Sequence, residues 1–227
     1  MEIVLDNLDL VALAFTYTVL LFLIAGVLSM VFGTLLAAMR VGPVDVLNKA
    51  TSVYVTLVRN TPLLIVLIFF RIAGPKVGLK FGFVEIEIGE IRITDLFTAC
   101  VVALTVYTAA FVCEALRSGV NAVPLGQAEA ARAIGLPFGG TMRNVVLPQA
   151  FRAAVPPLAS VQIALLKNTT VCGIFGVSEA FFRMHSFTNS EPGERYGIFI
   201  SFAVIFVFLV EIVSFFANQL ERRWRIA

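Results

Sequence analysis

From Leu10 to Met39 the chain carries no charged residue. A helix rising about 1.5 Å per residue crosses the hydrocarbon layer of a bilayer in about 20 apolar residues, so this run is long enough to span. Four more apolar runs follow, and charges punctuate them. The second, about 51–71, is interrupted by Arg59; the third, about 95–116, lies between Asp95 and the Glu114 region. The fourth, about 153–177, passes Lys167, and the fifth, about 196–220, contains Glu211. The pattern predicts an all-α integral membrane protein with a single transmembrane domain over 1–227, five spans, and a polar loop at about 117–150. One segment departs from helical spacing. Phe83 to Ile88 alternates apolar and acidic residues, the period of a short half-buried strand or of an extended loop over the bundle.

Composition agrees with the hydropathy pattern. Of 227 residues, 59% are hydrophobic and 14% charged, against about 25% charged in soluble domains. A formal charge of +2 with no Lys/Arg run gives no footing for nucleic acid. Cys100, Cys113 and Cys172 all lie in apolar runs and are expected to be small buried hydrophobes. His185 is the single histidine, too few for a histidine-rich metal centre, and it argues against a Ser-His-Asp triad. The acidic start (Glu2, Asp6, Asp9) and the length of the first run do not fit a cleavable signal peptide.

Lys/Arg placement sets the expected orientation. Loop 40–50, loop 117–152 and the C-terminal tail together hold nine basic residues and three acids; the opposite side holds six basic residues and ten acids. The first side is therefore expected to be cytoplasmic, with the N-terminus outside and the C-terminus inside a cell membrane. Glu221-Arg-Arg-Trp-Arg225 has the composition of an interfacial anchor.

The cytoplasmic loop contains Gly126-Gln-Ala-Glu-Ala-Ala-Arg-Ala-Ile-Gly135-Leu-Pro137. Ala128 to Ile134 favour a helix, Gly135 supplies a left-handed stop, and Pro137 keeps the helix from resuming. Two turns are too short to be stable alone in water, so something packs on them: the chain's own bundle or a partner surface that approaches over the alanines.

Glu129-Ala130-Ala131, Gly135 and Val145-x-Leu147-Pro148 resemble the EAA loop of permease subunits in binding-protein-dependent ABC importers. The spacing is that of the family, with Val145 in place of Ile. Arg59-Asn60-Thr61-Pro62-Leu63-Leu64, Leu165-Leu166-Lys167-Asn168-Thr169-Thr170 and Gly176-Val177-Ser178-Glu179 are similar to segments of the polar amino-acid subfamily. Asn60 replaces Gly there, and Asn168 replaces Asp. With Glu114-Ala-Leu-Arg-Ser-Gly119, they look most like the permeases of actinobacterial glutamate importers. The resemblance implies the type I ABC importer permease fold. It implies a coupling helix docked on a cytoplasmic ATPase dimer through Glu129, Ala130, Ala131, Arg132 and Gly135, with Leu147 and Pro148 closing the motif. It implies a second permease subunit, homologous or identical, and an extracellular substrate-binding protein. It implies an amino-acid substrate, most specifically glutamate. No Walker A pattern occurs in the chain, so ATP and Mg²⁺ are expected on the partner ATPase and no cofactor here.

Charges inside spans cost about 2.5–3.5 kcal/mol each and call for partners, water or a ligand. Arg59, Asn60, Thr61, Lys167, Asn168, Thr169, Thr170 and Glu179 are the candidate translocation-pathway residues. For Lys167 the alternatives are a cation facing the path, a structural pair with Glu114 or Glu211, and a side chain snorkelling to the interface; for Arg59, pathway and cytoplasmic anchor or gate. Glu179 is a gate residue, a binding-protein contact or a solvated carboxylate. Pro156-Pro157 is expected to break the fourth span and open backbone groups to a cavity. Three other readings stand beside the glutamate permease. A permease for another polar amino acid fits the same motifs. A secondary transporter or channel would have few spans and no internal repeat. An intramembrane enzyme would have its one histidine in a loop.

Overall fold

The computed structural model describes residues 2–82 and 85–224. A short helix α1 (Glu2–Asp6) leads into α2 (Leu8–Val41), whose 34 residues follow the charge-free run. It ends where the Gly42 N–H donates to the Ala38 carbonyl, 3.0 Å, and Pro43 denies the chain another helical turn.

The expected second span is not one straight helix. Helix α3 (Asp45–Arg59) and the stretch Leu63–Lys76 meet at 104° across Asn60–Pro62. Pro62 lacks an N–H and disfavours the helical region at Thr61, so the helix stops at Arg59 with Asn60 as its C-cap. The stretch beyond the bend consists of α4 (Leu63–Ile68), a π-helical turn at Phe69–Ala73, and α5 (Gly74–Lys76).

A hairpin follows. β1 (Ile86–Ile88) pairs antiparallel with β2 (Ile91–Ile93), with Glu87 opposite Arg92 and their side chains bridged at 2.8 Å. Gly89 in the turn has φ +60°, a conformation that favours glycine. All three β1 residues are exposed, so the alternation at 83–88 does not mark a half-buried strand. Phe83 and Val84 of that segment lie outside the described residues.

Helix α6 (Asp95–Asn121) is the axis of the bundle. Thr94 caps it by accepting the Phe97 N–H at 3.4 Å. In its most apolar stretch 72% of the residues are buried, against 11% in that of α11 (Arg195–Trp224), where only Ile198 and Phe202 are buried. Two glycines let the neighbouring backbones approach. A Cβ on Gly33 of α2 would stand 2.5 Å from Val112 Cβ, and one on Gly119 of α6 would stand 2.4 Å from the Ala150 carbonyl oxygen. Ala150 belongs to α9 (Leu147–Asn168), so α2, α6 and α9 form one layer of close contacts, the small-residue packing that lipid favours.

Between α6 and α9 run α7 (Leu125–Ala133), α8 (Phe138–Thr141) and a π-helical turn at Met142–Val146. Helix α9 passes unbroken through Pro156 and Pro157, contrary to expectation. Neighbouring helices hold such a helix together even where proline removes a hydrogen bond. A 3₁₀ segment, Thr169–Phe175, extends it and stops at Gly176, φ +95°. Helix α10 (Ala180–Ser190) then packs beside α2 and α11. At the tail, the Trp224 ring sits edge-on to Phe151 at 5.2 Å; Arg225 lies outside the described residues. Among the described residues, four helical stretches are long and apolar enough to cross a membrane, five if the bent pair counts as one span. Cys100, Cys113 and Cys172 are buried as free thiols.

Gly119→Val should lower stability by about 1–3 kcal/mol through overpacking against α9. Gly126→Ala, where an added Cβ meets nothing within 4 Å, should not lower it. Thermal unfolding of the detergent-solubilised protein compares the two.

Candidate coupling loop and translocation path

Helix α7 ends in a Schellman motif. The Leu136 N–H donates to the Ala131 carbonyl at 3.1 Å and the Gly135 N–H to the Arg132 carbonyl at 3.0 Å, with Gly135 at φ +91°. Ala131 is buried, and α7 packs against α8 and the Met142–Val146 turn, while Glu129, Ala130, Arg132 and Gly135 are exposed. The two alternatives for this helix thus share it: one alanine anchors it and the other motif residues point away. Leu147 and Pro148, at the start of α9, are also exposed.

Three large apolar side chains of this loop are also exposed: Leu125 at 80%, Ile134 at 81% and Phe138 at 62%. The motif did not single them out. Their signal was available as large hydrophobes at and just beyond the ends of the alanine-rich segment 126–133. Gln149, also missed, hydrogen-bonds the Gln127 side chain and donates to the Val145 carbonyl at 2.8 Å, which ties α7 to the root of α9.

The second constellation surrounds Glu114 on α6. Its carboxylate pairs with Arg40 of α2, with Arg59 at the end of α3 at 3.5 Å, and with Arg117 at 3.1 Å. The Arg59 guanidinium also lies 5.7 Å from the centre of the Phe111 ring. One carboxylate among three guanidiniums leaves a formal +2 beside the 104° bend. Asn60 in that bend is exposed, and the Thr61 hydroxyl donates to the Leu57 carbonyl at 2.8 Å.

Glu114 is therefore engaged by arginines and not by Lys167. Lys167 is exposed and has no ion pair among the described residues; the same holds for Glu211 on α11. The polar group after Lys167 does not share one face. Thr169 is fully buried with its hydroxyl on the Leu166 carbonyl at 2.7 Å, whereas Asn168 and Thr170 are partly exposed. Glu179 lies inside the protein, fully buried, where it caps α10 by accepting the Phe181 and Phe182 N–H groups at 3.0 and 2.9 Å. Gly173 leaves the space its carboxylate occupies. This geometry withdraws Glu179 from solvent and from an external protein.

A multi-pass helical bundle with a broken span and a short exposed helix set off from its core is the architecture of a membrane transport subunit. The chain belongs to the family of binding-protein-dependent transport system inner membrane components, which matches residues 29–226. It is 39% identical over 210 residues to a glutamate transport system permease protein of Corynebacterium glutamicum, covering 92% of each chain. It is 32% identical to a probable glutamine ABC transporter permease protein of Bacillus subtilis over 98% of this chain and 96% of the relative. Among solved structures, an amino acid ABC transporter superposes with a TM-score of 0.84 at 26% identity, covering 96% of both chains. The methionine transporter MetNI in an inward-facing conformation has the same fold, TM-score 0.71. The chain is a permease subunit of an ABC-type amino-acid uptake system.

Gly135→Val should cost about 1–2 kcal/mol of local backbone strain with no clash, since nothing lies within 4 Å of the added Cβ. The expected outcome is a folded protein in normal amount with ATP-driven uptake largely lost, read by uptake assays against membrane abundance.

Proposed function

We propose that this chain forms half of the translocation path of an ATP-driven glutamate importer in the cell membrane. A second permease subunit, homologous or identical, supplies the other half. An extracellular binding protein delivers substrate, and a cytoplasmic ATPase dimer holding ATP and Mg²⁺ docks on α7. The observation that carries the substrate reading is the 39% identity, over nearly the whole chain, to a protein named for glutamate transport. The exposure of Leu125, Ile134 and Phe138 on α7, its C-cap and α8, in the same loop as Glu129, Ala130 and Arg132, supports the docking reading, because large apolar groups in water favour a covering partner. With that face cytoplasmic, α2 begins outside and α11 ends inside, in accord with the Lys/Arg excess.

Charge is consistent with the substrate. Glutamate travels as a monoanion, and the path offers the net-positive cluster around Glu114 and the unpaired Lys167. Asn168 adds no negative charge at a position where aspartate would. Coupling then works by differential binding: ATP closes the ATPase dimer, α7 moves with it, and the paired bundles exchange outward- and inward-facing states. A second reading, another polar amino acid such as glutamine, is favoured by the 32% identity to the probable glutamine permease.

Uptake of labelled glutamate by cells with and without the chain separates the two. Uptake should vanish with the chain, and excess unlabelled aspartate should compete while glutamine, histidine and arginine should not. Competition by glutamine alone would transfer the assignment to the second reading.

A further inference from the structure

At the end of the bundle where α2 and α6 begin lies a cavity of about 370 Å³, within the range of small-molecule sites, about 300–1,000 Å³. Its walls come from four elements: Leu13 and Tyr17 of α2, the β1–β2 hairpin, the first turn of α6, and the Gly176–Ser178 turn with Arg183 of α10. The hairpin wall is fixed, because the Tyr17 hydroxyl accepts the Arg92 N–H at 2.7 Å and donates to the Arg92 carbonyl at 3.2 Å.

Two charged side chains that line this cavity are unspent. Arg183 has no carboxylate partner among the described residues, and its buried Nε has no hydrogen-bond partner. Its guanidinium is held 5.9 Å from the centre of the Phe187 ring. Glu90, in the hairpin turn, likewise has no ion pair among the described residues. The third charged lining residue, Arg92, is already bridged to Glu87. A buried guanidinium nitrogen without an acceptor costs free energy that an incoming carboxylate would recover.

We infer that this cavity is a receiving site for a zwitterionic amino acid: the Arg183 guanidinium takes a carboxylate and the Glu90 carboxylate takes the α-ammonium. The site rests on the uptake reading above and on its orientation, which sets the cavity on the outer face, where substrate arrives. It lies apart from Lys167 and from the Glu114 cluster, so substrate would pass it first. The pairing with both charges of an α-amino acid favours that class over simple carboxylates or amines. The apolar wall at Leu13, Leu96 and Val177 takes the methylene groups of the substrate side chain.

The test uses the assembled transporter in nanodiscs, without the binding protein, titrated with labelled glutamate. Arg183→Ala should weaken binding about tenfold, the loss of a charge-assisted hydrogen bond, and Arg183→Lys should restore most of it. Glu90→Gln, at an exposed position, should weaken binding by a similar factor and gives an independent reading if Arg183→Ala fails to assemble. Equal affinity of the wild type, Glu90→Gln and whichever Arg183 variant assembles would overturn the site. It would also fall if Arg183→Ala left binding intact and only reduced ATPase stimulation by the binding protein, for the cavity would then be a protein contact. If the wild type binds glutamine, histidine or arginine in place of glutamate and the variants lose that binding, the site stands and the glutamate reading falls.

Discussion

In hydrocarbon no water is available to a backbone N–H or C=O, so every departure from a regular helix must be satisfied within the protein. That constraint organises this molecule. At Asn60–Pro62, where the second span bends by 104°, the Asn60 N–H donates to the Thr56 carbonyl at 3.2 Å and the Thr61 hydroxyl caps the Leu57 carbonyl. At Thr169–Phe175 the chain tightens to 3₁₀, and the hydroxyls of Thr169 and Thr170 turn back to carbonyls three residues earlier. The next irregular turn receives a buried carboxylate, Glu179, for two N–H groups that begin α10. The irregular positions are where polar groups collect, and polar groups at membrane depth are what a transport path requires.

These irregular pieces hang on a regular scaffold. Gly33 and Gly119 bring α2, α6 and α9 to backbone contact, and α6 is buried along most of its apolar length. Helix α11 is the opposite, with only Ile198 and Phe202 buried, and Glu211 is exposed. A charge so placed needs a neighbour that this chain alone does not provide, which accords with a second permease subunit. At the other end of the transmission, α7 is anchored by Ala131 and by the Gln127–Gln149 pair, so a force applied to its exposed face passes to the root of α9.

Much of this was legible in the residues. Gaps between charges located the spans, and the Glu-Ala-Ala…Gly spacing located α7 and its glycine stop. Pro62 carries the local signal for the bend, but hydropathy averages over direction and reads the run around it as one span. Pro156-Pro157 carried the same local signal and did not break its helix, because packing against neighbours decides that outcome. The three-arginine cluster on Glu114 was hidden for another reason: its members come from α2, α3 and α6 and meet only through tertiary packing. Burial of Glu179 was hidden likewise, since a carboxylate near a span end is ordinarily solvated. The exposed Leu125, Ile134 and Phe138 were visible as letters but acquired meaning only when their burial was known.

The central claim is that α7 is the surface through which ATP hydrolysis reaches the membrane. Ala130→Cys places a single accessible thiol on that surface, because Cys100, Cys113 and Cys172 are buried. In the assembled transporter a short bifunctional reagent should join this thiol to the ATPase subunit, with the yield changing when ATP is bound. A thiol that reacts only from outside the cell, or that never joins the ATPase, would contradict the account.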